Sequence, residues 1–171
     1  MVSTQRSNSS GSRSSGSRSS GAGPALADPI VVGRARDLLD RADLLLDNAV
    51  GVNDDPERFR QLYLVALRGA GAALAINEPA GRGLARRRVA PNAWSRIEAM
   101  VPELASHAEY FASLSVQRMN IEAGIERSVD PVVLAQLHRR VLVFLDAVEA
   151  IVIAYERGLG APQGALLARP A

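Results

Sequence analysis

The chain has 171 residues, 47% of them hydrophobic and 22% charged, with no Cys and only two His, His107 and His138. That composition excludes a disulfide scaffold, a Cys-ligated zinc site and thiol catalysis, and leaves little material for any metal centre. All 20 basic residues are Arg, yet residues 30–171 hold 17 Arg against 17 acids. The basic isoelectric point therefore comes from Arg chemistry and a short tail, and strong non-specific affinity of the whole fold for nucleic acid is not expected.

Residues 1–27 are rich in Ser, Gly and Arg and include the near-repeat of residues 11–15 and 16–20. They lack the apolar run of a secretory signal and the amphipathic pattern of a transit peptide. Such a composition cannot bury apolar surface, so this segment is predicted to be a disordered tail.

Three Asp-Pro pairs, at Asp28, Asp55 and Asp130, each precede a long apolar-periodic segment. Asp at an N-cap accepts a bond from an orphan backbone N–H, and Pro in the first turn loses none. The first helix is predicted over 30–50, with Ala35, Leu38, Leu39, Ala42, Leu45, Leu46 and Ala49 on one face. Asp37 and Arg41 form an i,i+4 pair on the other face. A second helix is predicted over 56–76, buried along Phe59, Leu62, Tyr63, Ala66, Leu67, Ala70 and Leu74. Gly69, Gly71 and several Ala make its second half small, which suits close approach to a neighbouring helix.

Residues 77–91 read as a loop. A third helical region starts near Asn92 with Trp94, Ile97 and Val101, and Pro102 must kink or restart it. Leu104, Ala108, Phe111, Ala112 and Leu114 continue the stripe to about Met119, and the helical character fades towards Gly124. The last helix is predicted over 131–157 through Leu134, Leu137, Val141, Leu145, Val148, Val152 and Tyr155, with Gly158 as its C′ residue. As the longest and most apolar helix it is expected at the centre. Its apolar run, interrupted by Asp146 and Glu149, is too short to span a bilayer. No run alternates with period two. The expected fold is all-α: an up-and-down antiparallel bundle of four to five helices over 28–158, between the disordered N-terminal tail and a loose tail at 159–171.

Glu103 and His107 lie four apart, as metal ligands can, but two ligands without a third define no site. His138 precedes Arg139 and Arg140 in what reads as a solvated basic stretch. The most functional-looking feature is Arg82, Arg86, Arg87 and Arg88 with Arg96: five Arg and no acid between 79 and 97. Arg binds phosphate bidentately, so a phosphate ligand, a nucleotide or nucleic acid could dock there. Trp94 is the one aromatic close enough to stack on a base.

The order of an Asp- and Leu-rich helix, Pro56-Glu57-Arg58-Phe59 opening an Ala-rich helix, an Arg-rich loop, Ala93-Trp94, Val101-Pro102-Glu103-Leu104-Ala105 and a Leu/Val-rich last helix resembles an actinobacterial branch of the HEPN superfamily. The resemblance covers roughly residues 38–155. It implies a helical bundle that often dimerises, and many such domains are metal-independent ribonucleases of toxin or defence systems. Their usual signature is an Arg followed by His after four to six residues, placing both at a scissile phosphate. Here Met100, Val101 and Pro102 occupy the Arg positions for His107, and Pro131, Val132 and Val133 those for His138. No catalytic residue is carried over. The expectation is a cytoplasmic, non-enzymatic module without cofactor, metal or membrane, which associates with a protein partner or its own second copy and offers the Arg loop to phosphate or nucleic acid. The rivals are a ribonuclease with a non-standard active site and a helical nucleic-acid-binding regulator.

Overall fold

The computed structural model describes residues 27–77 and 92–159. They form α1 (Pro29–Val50), α2 (Asp55–Asn77), α3 (Ala93–Met100), a 3-10 turn (Pro102–Leu104), α4 (Ala105–Ser113), α5 (Ser115–Glu122) and α6 (Pro131–Glu156). Among the described residues there is no strand, as the period of the apolar residues predicts. The tails expected at 1–27 and 159–171 fall outside the described residues save for Ala27 and Leu159.

Side-chain caps start the long helices. Asp28 Oδ1 accepts from the Ile30 N–H at 2.9 Å, and Asp130 Oδ1 from Val132 at 2.7 Å. At α2 the cap is one residue earlier than predicted. Asp54 Oδ2 takes the Glu57 N–H at 2.9 Å, so Asp55 lies inside the first turn and Pro56 one step further in. Neither residue loses a bond there, because all the first-turn donors are orphans. Gly124 and Gly158 have φ of 71° and 67° and close α5 and α6 with the same pair of bonds. The Gly124 N–H reaches Ile121 O and that of Ile125 reaches Asn120 O; the Gly158 N–H reaches Tyr155 O and that of Leu159 reaches Ala154 O. Only a left-handed residue at that position allows both.

The third leg breaks twice. Pro102 restarts the chain as a 3-10 turn, and a second break at Leu114 separates α4 from α5. The restart at Pro102 is one of the two outcomes the sequence allows, whereas apolar periodicity runs on through Leu114 and gives no sign of the second break.

The centre is α2, not the longer α6. Every residue of α2 is buried or half-buried, and it packs on α1, α3, α5 and α6. Small side chains make this possible. A Cβ on Gly69 would meet Leu145 Cδ2 at 2.9 Å and Phe144 Cε1 at 3.0 Å, whereas one on Gly71 would meet Leu38 Cδ1 at 3.5 Å. The two glycines thus face α6 and α1 respectively. Length and hydropathy put α6 forward for the centre, but a helix ringed by neighbours needs short side chains more than apolar ones.

α1 runs antiparallel to α6: Arg36 near its start bonds Glu156 at 2.8 Å and Glu149 at 3.1 Å near the end of α6. The starts of α2 and α6 lie together, since Asp55 and Arg58 share a hollow with Pro131 and His138. α2 and α6 are therefore parallel, as alternate helices of an up-and-down bundle are. The aromatic residues join the broken leg to both. Trp94 stacks on Phe111 at 4.9 Å between centroids and meets Phe144 edge-on at 6.1 Å. Its Nε1 donates to Tyr63 Oη at 2.7 Å, and that hydroxyl also bonds Ser115 Oγ at 2.9 Å.

Two expectations test this packing by chemical denaturation. Gly71→Ala gains up to about 1 kcal/mol from helix propensity, while Gly69→Val loses about 1–3 kcal/mol by overpacking against Phe144. Tyr63→Phe leaves the buried Trp94 N–H without its acceptor and costs about 1–3 kcal/mol.

Candidate functional site

Of the five Arg proposed to bind anions, Arg82, Arg86, Arg87 and Arg88 lie outside the described residues. Arg96 lies on α3, half-buried, one turn past the Asn92 cap that receives the Ser95 N–H at 2.9 Å. Trp94 is 2% exposed, so its ring is core and offers no face to a base.

The two His fall on opposite flanks of α6. His107 of α4 packs against Phe144 of α6, ring centroids 5.5 Å apart. Its Nδ1 is buried with no hydrogen-bond partner among the described residues. Burial, and then the nearby Arg140 guanidinium, hold its pKa below the ordinary histidine value. Arg140 lies over the Tyr110 ring at 5.1 Å, so α4 and α6 together make a small His–Tyr–Arg cluster. Glu103 contributes nothing to it, and among the described residues no group of three His, Asp or Glu could hold a metal ion.

His138 lies at the other end of α6 from its salt-bridged tip. It lines two adjoining hollows of about 100 and 240 Å³, both shared with Arg58 of α2. The walls are Ala49, Val50 and Leu62 on one side and Pro131, Leu134 and Ala135 on the other, with Asp55 at the rim. Arg58 is held by its Nε bond to Val52 O at 3.0 Å. The structure therefore sets each His beside an Arg that is remote from it in the chain, a pairing no linear spacing could show.

The remaining feature is the outward side of α6. Its inward side is core: Leu134, Leu137, Val141, Phe144, Leu145, Val148 and Val152 are buried. The outward side is mixed, with large apolar side chains exposed beside Arg139 and Asp146. Val132 is 70% exposed, Leu142 42% and Val143 56%, with Val132 about three helical turns before the other two and Ala135 and Ala150 exposed on the same side. Apolar periodicity in the sequence marks only the inward stripe. The signal for the other is the lack of any continuous charged face on this helix. No helix among the described residues is long and apolar enough to cross a membrane.

The SAV_6107-like HEPN family model matches residues 49–149, more than half of the chain, and the chain belongs to that family. No curated protein and no solved structure matches it significantly.

The His107 environment sets a sign for pH. Because its folded pKa is depressed, the unfolded chain takes up a proton first as pH falls below the ordinary histidine value, and the folded state loses stability. Thermal melts between pH 7 and pH 5 should show a larger loss for the native chain than for His107→Gln. Replacing Arg140 by Gln should move the His107 NMR titration upward.

Proposed function

We propose that this HEPN domain is a non-catalytic association module whose working surface is the outward side of α6. The observation that carries the reading is the exposure of Val132, Leu142 and Val143 along one stripe of a helix whose other side is core. Large exposed apolar side chains in line mark interaction sites more than isolated ones do. The segment with Arg82, Arg86, Arg87, Arg88 and Arg96 adds an anion-binding surface, supported by charge alone: the rest of residues 30–171 carries 12 Arg against 17 acids, so positive charge is concentrated there.

The test of association is affinity capture with the native chain and with Val143→Arg, followed by mass spectrometry. Val143 is exposed, so the variant keeps the fold and should lose its bound proteins. Retention of the same proteins rejects the surface. For the Arg segment, fluorescence anisotropy with a labelled RNA should show weaker binding by the Arg86/Arg87/Arg88→Ala variant. Its salt dependence should be shallower by roughly 0.7–0.9 log units for each phosphate that is no longer neutralised.

A ribonuclease is the second reading, favoured by one observation: His138 and Arg58 line the same cleft. General acid–base catalysis there would use the His138 imidazole for proton transfer and the Arg58 guanidinium for phosphate charge. The cleft walls are mostly apolar and Asp55 stands at the rim, which favours neither a polyanion nor its transition state. The native chain should leave single-stranded RNA intact. Cleavage that disappears in both His138→Ala and Arg58→Ala would replace the association reading with this one.

A further inference from the structure

The hollows at the start of α2 and α6 contain a cation that the chain itself does not neutralise. Arg36, Arg60 and Arg118 are half-buried, and each pairs with a carboxylate. Arg58 is half-buried too, yet among the described residues its guanidinium bonds only Val52 O, through Nε at 3.0 Å. Asp55, one turn earlier, lines the larger hollow with Arg58 but forms no ion pair with it. The Val52 bond fixes the side chain and leaves its two terminal nitrogens for an acceptor from outside. A guanidinium partly withdrawn from water among aliphatic groups favours such an acceptor, because its lost hydration is otherwise unreplaced.

The walls narrow the chemistry of that acceptor. Ala49 and Leu62 line the smaller hollow, Leu134 and Ala135 the larger, and Arg58 and His138 belong to the wall the two share. At about 100 and 240 Å³, they stand together at the small end of ligand sites, which span roughly 300–1,000 Å³. Aliphatic walls around a few convergent polar groups are the usual make-up of a small-molecule site. His138 carries an N–H donor in either protonation state. One negative charge matches Arg58, whereas a second would lie near Asp55 and against hydrocarbon. A planar carboxylate also suits two terminal guanidinium nitrogens, which can bind both of its oxygens.

We infer that this hollow binds a small monocarboxylate with a hydrocarbon body. The carboxylate accepts from the terminal nitrogens of Arg58 and from a ring N–H of His138, and the body covers the aliphatic wall. Asp55 sets the specificity by rejecting ligands of higher negative charge. The site does not depend on whether the outward side of α6 takes a protein partner.

Hexanoate is the probe, titrated into the full chain by isothermal calorimetry with the His138 ring followed by NMR. Binding should saturate at one site, and the His138 signals should move with the same midpoint. Acetate has the charge without the body, and hexanol the body without the charge; each should bind at least about tenfold more weakly. Arg58→Gln should weaken hexanoate about ten- to a hundredfold through loss of the charged hydrogen bonds. Asp55→Asn should tighten it severalfold, a gain that damage to the fold cannot imitate, and circular dichroism checks that both variants stay helical. If Arg58→Gln does not fold, the Asp55→Asn arm decides, and no gain there overturns the inference. It is equally overturned if hexanoate does not saturate, if the His138 signals stay still, or if hexanol binds as tightly as hexanoate. Inorganic phosphate binding more tightly than hexanoate would also overturn it and return the hollow to the ribonuclease reading.

Discussion

The stack of Trp94 on Phe111, held by the bond from Trp94 Nε1 to Tyr63 Oη, is the interaction on which the remaining packing depends. The chain has only seven aromatic residues, and Tyr63, Trp94, Tyr110, Phe111 and Phe144 form one connected group across α2, α3, α4 and α6. α3, α4 and α5 are each too short to be stable helices alone. What orders them is this aromatic group, in which the Tyr63 hydroxyl also reaches Ser115 at the start of α5. Arg118 of α5 then lies over the Tyr63 ring at 5.2 Å. One tyrosine on the central helix thus registers both ends of a leg that breaks twice.

Local chemistry carries most of the fold into legibility. Asp before Pro announces the starts of α1 and α6, and Gly158 announces the end of α6, because caps and left-handed glycines act within a few residues. The cap of α2 falls one position from its predicted place because Asp54 and Asp55 are chemically equivalent, and only the direction of the chain decides which is outside. The centrality of α2 is hidden behind small residues, which score as weakly apolar yet allow neighbours on every side. The site is far less legible. His107 comes within the electrostatic reach of Arg140, and His138 lines a hollow with Arg58, through helix packing that a linear spacing rule does not encode. The five-Arg segment is conspicuous as composition, yet four of its members lie outside the described residues.

Family membership and site geometry pull in different directions at His138. The resemblance implies a linear Arg and His pair in many such domains, and this chain lacks that pair. An Arg from another helix is close by, but it stands among apolar walls. Geometry alone therefore makes the cleft a place where a small change of wall polarity would matter. Meanwhile the apolar side chains left over on α6 face outward, where they can be covered only by something else.

The 3.3 Å bond from the Asp28 N–H to Tyr155 Oη ties the beginning of α1 to the end of α6. The chain enters and leaves the bundle at a single pole. The opposite pole, with the turn at 51–54, the start of α6 and the hollow beside Arg58 and His138, is crossed only by internal connections. Both described ends of the domain, Ala27 and Leu159, therefore lie at the pole away from the hollow beside Arg58 and His138.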